Sequence, residues 1–329
     1  MLFRSLATGL EALALREASL GPDHVDVAVS LNNLGAMYRS AGRYDEAIAA
    51  LMRARSIWVA ALGPDSPTVL NGDLNLTIAF YHRGELGRAG DLANHALALA
   101  ERVLPPDDPL ILKARSSAGV FALLLGDRVR GESLMRANLE ANLRAFGPNH
   151  PSVATAYDNL GSIAAERGRF DEAADLFARS LAITERKHGL EHSDLVTALD
   201  NLAHAELERG DLKRAEALAR RSLAISERSF GPDASHTSSA RFLLARLAVE
   251  RRQPALAELE HVARISEKSP LEPTTLAIYR FTRARALEAS GGDRAEAGRL
   301  AREALAYHAA HAQPLFAARV TAWLAKHRL

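Results

Sequence analysis

The chain has 329 residues, with 41 Lys and Arg set against 40 Asp and Glu, so its formal net charge is +1. Such a balance gives no electrostatic footprint for nucleic acid or for an acidic membrane surface, and neither is expected as a partner. There is no cysteine, which excludes disulfides, thiolate catalysis and Cys-based metal or cluster sites and suits a reducing compartment such as the cytoplasm.

The first element, residues 1–20 (MLFRSLATGLEALALREASL), has Arg4, Glu11 and Arg16 breaking any apolar run. It does not resemble a signal peptide, and no uncharged stretch of the chain approaches the roughly 18 residues that span a bilayer. From Gly21 onward the chain is periodic. Residues 21–35, GPDHVDVAVSLNNLG, return as GPNHPSVATAYDNLG at 147–161, and turn dipeptides recur every 42 residues between and beyond them: Gly21-Pro22, Gly63-Pro64, Pro105-Pro106, Gly147-Pro148, Gly189-Leu190 and Gly231-Pro232. A fixed period of this size signals a solenoid of supersecondary units rather than a globular enzyme.

Residues 21–62 show the unit. Gly21-Pro22-Asp23 makes a turn, and a first helix is predicted from about Val25 to Ser40, with Val27, Leu31, Leu34 and Tyr38 on one face. Gly42 suits a left-handed C-terminal cap. A second helix opens at Tyr44 or Asp45, with Asp45 and Glu46 favoured by the helix dipole at its start, and carries Ala47, Ile48, Leu51, Ala54, Ile57 and Trp58. Neither helix buries its apolar face alone, so Gly35 and Ala47 are expected at the close approach within the pair.

Leu31, Leu34, Gly35, Tyr38, Ala47, Leu51 and Ala54 have the order and spacing of the tetratricopeptide repeat signature. With LNNLG, GRYDEA and the 42-residue period, the chain resembles the kinesin-light-chain-like form of that repeat found in many bacterial proteins. The resemblance implies an all-α, right-handed superhelical solenoid of antiparallel helix pairs whose first helices line a concave groove. It further implies a non-catalytic scaffold that binds a protein or an extended peptide. The alternative is a sensor or regulatory arm of a larger signalling protein (kinase, ATPase or protease) whose catalytic domain lies outside this chain.

Seven units are expected, at 21–62, 63–104, 105–146, 147–188, 189–230, 231–271 and 272–312. The fourth matches best, with Tyr157, Leu160, Gly161, Ala173 and Phe177. The third is degenerate, with Arg115 at an apolar position and Gly131 in place of Ala. The sixth has Arg252 where the inter-helix Gly belongs, although Pro254 suits a helix start. The seventh keeps Phe281, Gly292, Ala297, Ala301 and Ala304. Residues 12–20 align with ARSIWVAAL at 54–62, so residues 1–20 read as a second helix without its first, either a trimmed cap or part of a longer protein. Residues 313–329 read as a capping helix that covers the last unit with Phe316, Val320 and Trp323 and turns a basic face to solvent.

No phosphate-binding, nucleophile-elbow or zinc-protease motif is present, so neither catalytic residues nor a cofactor or metal is assigned. His188 and His192 are four apart but separated by Gly189; like His24 and His150, His192 reads as a turn or capping residue. With Leu31 and Leu34 facing the core, Asn32 and Asn33 face the groove, and the second recurs as Asn33, Asn75, Asn159 and Asn201, broken by Ser117 and Leu243. Asn is a poor helix former, and its amide can both donate to and accept from a peptide backbone. The same face is expected to carry Arg39, His82 and Lys113 early, then Asp158, Glu166, Asp200, Glu208 and Glu250 with Arg246 nearby. A bound peptide is therefore expected to set Lys or Arg against units four to six.

Overall fold

The linkers of the 42-residue repeat draw on two devices, although Pro105 stands where the glycine would be in one and Ala234 supplies no side-chain cap in another. A glycine closes the outgoing helix: Gly21, Gly63, Gly147, Gly189 and Gly231 all have φ between +76° and +89°, a region open to residues without Cβ. Three residues later a polar side chain accepts from the backbone N–H two positions on: His24 from Asp26, Ser66 from Thr68, Asp108 from Leu110, His150 from Ser152 and His192 from Asp194. The cap occupies an orphan donor of the new helix. His192 makes this contact within the turn before the helix Leu195–Arg209, whose N-cap is Asp194, and so plays the turn role read for it.

The computed structural model describes residues 2–106, 108–311 and 313–329, with side chains from Leu6 onward; Met1, Asp107 and Ala312, the last residue of the predicted seventh unit, lie outside the described residues. Every regular element among the described residues is a helix. Two compact units divide the chain, Met1–Pro148 and Asn149–Leu329.

The first unit holds α1 (Leu2–Leu20), α2 (Val25–Ser40), α3 (Tyr44–Leu62), α4 (Pro67–His82), α5 (Leu86–Val103), α6 (Pro109–Leu124) and α7 (Arg128–Phe146). α2 pairs with α3, α4 with α5 and α6 with α7, while α1 packs on α2. Gly35 is required at the closest approach of the first pair, because a Cβ there would lie 2.5 Å from Leu51 Cγ. The degenerate third pair forms nonetheless. Arg115 reaches Glu101 at 3.4 Å, and Gly131 gives room to Leu123, whose Cγ lies 2.5 Å from where a Cβ would stand. The division of the chain follows α7, whose buried face is thin: Gly131, Met135, Asn138, Ala141 and Asn142.

The second unit holds α8 (Pro151–Glu166), α9 (Phe170–His188), α10 (Leu195–Arg209), α11 (Leu212–Phe230), α12 (Ser235–Glu250), α13 (Leu256–Ser266), α14 (Pro273–Ala289), α15 (Arg294–Ala310) and α16 (Pro314–His327). The first helices of its pairs also touch in succession, α8 on α10, α10 on α12 and α12 on α14, which makes them the inner row of this unit. Fully buried Ala173, Ala215, Ala219, Ala297, Ala301 and Ala304 keep the paired helices close. At the sixth junction Arg252 takes φ +58°, where Gly42, Gly84, Gly126, Gly168 and Gly210 serve elsewhere, and the next helix starts at Leu256, two residues after Pro254. In the last pair the left-handed residue is Gly291, at +69°, rather than Gly292.

α16 covers α15, burying Val320 and Leu324. Phe316 stacks on His308 with centroids 5.3 Å apart, and Trp323 meets Phe281 edge-on at 5.7 Å. Its basic face is not wholly turned to solvent: Arg319 pairs with Glu208 on α10.

Candidate functional site

In the second unit the inner row of first helices carries two adjoining open cavities. The smaller, about 290 Å³, is lined by Asp200, Asn201 and His204 of α10, Phe242 and Arg246 of α12 and Thr275 of α14, among others. The larger, about 620 Å³, continues past Glu208, Glu250 and Arg285 to an aromatic wall of Phe281, Phe316 and Trp323. Arg246 and Ile278 line both, so the two make one groove along α10, α12 and α14. Its polar end offers an amide and a carboxyl group, and its apolar end offers aromatic rings.

Predicted residues Asp200, Asn201 and Glu208 come together in this groove because they lie on one face of α10. Asp158 and Asn159 occupy the matching places on α8, half-buried, and Glu166 is exposed at the end of that helix, where it is engaged by another group. In the first unit, Asn75 Nδ2 donates to Asn32 Oδ1 at 2.9 Å, tying α4 to α2. Asn33 and Lys113 are exposed, and Arg39 is half-buried two turns along α2 from Asn32.

Two of the carboxylates expected to make this face acidic, Glu208 and Glu250, are neutralised by arginines. Glu208, with 2 % of its side chain exposed, is bracketed by Arg246 and Arg319, and His204 stands 3.9 Å away. Burial pushes its carboxyl up, but Arg246, His204 and Arg319 outweigh this and hold it down at about 2. His204 is itself pushed down to about 4 by burial and by Arg246, so the imidazole is neutral at neutral pH. Glu250 pairs with Arg285, whose hydrogen bond leads the causes that lower its carboxyl. These arginines come from 35 to 111 residues away, beyond the reach of a pattern local to one repeat.

Asp200 and Asp158 behave in the opposite way. Burial raises Asp200 to about 7 and Asp158 to about 6, and the nearby Ser222 and Ser180 hydroxyls offset this only in part. Neither aspartate has an arginine partner among the causes of its shift. Both titrate close to neutrality, and with Asp200 in its lining the groove changes charge there. A signal for this pairing was available: Asp158 and Ser180, like Asp200 and Ser222, are separated by 22 residues, and the equivalent second-helix positions in the first two units are Ala54 and Ala96.

Stacked helix pairs with small residues at each approach and an inner row of first helices define a tetratricopeptide-repeat protein, and the tetratricopeptide repeat model matches residues 3–58 and 26–102. The chain belongs to the MalT-like TPR region family, whose model matches residues 73–328. No curated protein sequence matches it. Among solved structures it is similar to BtubC (BKLC) from P. vanneervenii, at 22% identity over 70% of this chain and 93% of that one, with a TM-score of 0.62. It is also similar to the TPR-like repeats assigned to a kinesin light chain of Podosopora anserina, at 21% identity over 63% and 98%, TM-score 0.54. A third likeness is to a Rap protein complexed with competence and sporulation factor, at 13% identity over 99% and 85%, TM-score 0.55. The all-α tetratricopeptide solenoid class and the kinesin-light-chain-like form of the repeat are both established by these matches. Among the described residues, no helix is long and apolar enough to cross a membrane.

Proposed function

We propose that the chain is a non-catalytic scaffold that binds an extended segment of a partner protein in the groove of its second unit. The observation that carries this reading is the continuity of the groove: α10 presents Asn201 and Asp200 at one end, and Phe281 of α14 with Phe316 and Trp323 of α16 form the other. Amides hold a peptide backbone without reading its side chains, while aromatic walls anchor a large apolar residue. The structurally similar Rap protein is complexed with competence and sporulation factor, which supports recognition as the use of this architecture. A basic residue of the partner is placed opposite Asp200 and Asp158, whose neighbours supply no cation, rather than opposite Glu208 and Glu250, which already have arginines.

Selection from a random peptide library on the immobilised full chain tests the proposal. Wild type is expected to enrich peptides with an aromatic or large aliphatic residue a few positions from Lys or Arg. A variant carrying Asn201→Ala and Phe281→Ala is expected to lose that enrichment while keeping its helical circular dichroism. Equal enrichment by both proteins would remove the groove from the account.

A further inference from the structure

We propose that His188, His192 and Asp194 form a site for a divalent transition-metal ion of the zinc class, at the turn between α9 and α10. His188 Nε2 lies 3.5 Å from Asp194 Oδ2, and His192 Nδ1 lies 3.6 Å from the same oxygen. One ligand atom from each residue lies within 4.8 Å of the other two. Ligands about 2.1 Å from a tetrahedral ion stand roughly 3.4 Å apart, so two edges of the cluster already have nearly the required length. Two imidazoles and a carboxylate form a ligand set suited to Zn²⁺ or Co²⁺, with water in the fourth position. His188 is the last residue of α9 and Asp194 immediately precedes α10, so the ion would join two helix pairs across their linker.

The other turns show what is particular to this one. The equivalent position is filled by His24, Ser66, Asp108, His150 or Ala234 elsewhere, which accounts for a histidine at 192 but not for its neighbours. The place of His188 is held by Leu20, Leu62, Phe146 and Phe230 in the equivalent turns, a large apolar residue in each. The turn at His24 and Asp26 has the other two ligands, 3.8 Å apart, with Leu20 in place of the third. His188 therefore converts a capped turn into a three-ligand cluster, and its ring lies against His192 with centroids 4.7 Å apart. His192 Nδ1 accepts from Asp194 N at 3.2 Å; on binding, the ion takes that lone pair and the backbone N–H passes to solvent.

The experiment is calorimetric titration of ZnCl₂ into the full-length chain, purified without a polyhistidine tag and stripped with chelator. Wild type is expected to bind one equivalent and to melt at a higher temperature with Zn²⁺ than with EDTA. His188→Leu restores the residue of the first two turns, and Asp194→Asn keeps the shape of the side chain. Each is expected to weaken binding at least tenfold while leaving the EDTA melting temperature unchanged, and His24→Ser to leave binding intact. The proposal is overturned if wild type takes up no stoichiometric Zn²⁺, or if both ligand variants bind as tightly as wild type.

Discussion

The two units use the same repeat positions for different chemistry. In the first, Asn32 is met by Asn75 from the next first helix, a neutral amide pair. In the second, the places equivalent to Asn32 hold Asp158 and Asp200, set against Ser180 and Ser222 and half-buried, while those equivalent to Asn75 keep Asn159 and Asn201. Two turns past Asp200 along α10, Glu208 is enclosed by Arg246 and Arg319. The repeat fixes where a side chain stands, and residues outside the repeat pattern decide its charge. One face therefore contains carboxyls ionised throughout the ordinary pH range beside carboxyls that titrate near neutrality.

The largest effect should come from breaking the enclosed cluster. Glu208→Ala removes the carboxylate that Arg246, 11 % exposed, shares with Arg319, and should cost about 3 kcal/mol in urea unfolding. Asn75→Ala, in the amide pair of the first unit, should cost much less, and similar losses would erase the contrast.

Asp200→Asn comes next, and its effect depends on pH. The folded carboxyl is raised to about 7 from an ordinary value of 3.8. As pH rises through 4 the unfolded chain releases this proton while the folded chain retains it, so wild-type stability falls until about pH 7 and is level above that. Asn escapes that loss, and the variant should be more stable than wild type by on the order of 2 kcal/mol at pH 8, with no advantage at pH 3.5. Equal stability of variant and wild type at pH 8 would mean that Asp200 ionises like a surface carboxylate.

Arg252→Gly should stabilise by about 1 kcal/mol, since Arg252 occupies a left-handed conformation at +58° that glycine adopts freely. Thermal melting of this variant beside Gly210→Ala, at the equivalent place one pair earlier, should give shifts of opposite sign. Smallest is Asn75→Ala itself, at about 0.5–1 kcal/mol, the ordinary net value of a neutral hydrogen bond.

Much of the architecture was legible because a repeat states its pattern several times. Val25–Ser40 and the start at Tyr44 follow from period, apolar spacing and Gly42 alone. So do the close approaches at Gly35 and Gly161, where a Cβ would stand 2.5 Å from Leu51 and 2.7 Å from Phe177. The groove was legible in position but not in charge. Asn201, Asp200 and Glu208 fall on one face of α10 by helical spacing, whereas Arg319 reaches Glu208 from 111 residues away. Burial of Asp200 depends on packing between α10 and α11, and only the recurring Asp–Ser separation hinted at it. The contact of His188 with His192 was hidden for a different reason: Gly189 ends α9, and the turn, not a shared helical face, brings the rings together.

Recognition in the groove of the second unit is tested most directly by calorimetry of a library-selected basic peptide at pH 6 and pH 8, against wild type and Asp200→Asn. If the groove is the site, wild-type affinity should rise severalfold from pH 6 to pH 8 as Asp200 ionises, and the variant should bind with little pH dependence. Identical affinity and pH response in both proteins would place the peptide elsewhere on the chain and contradict the account.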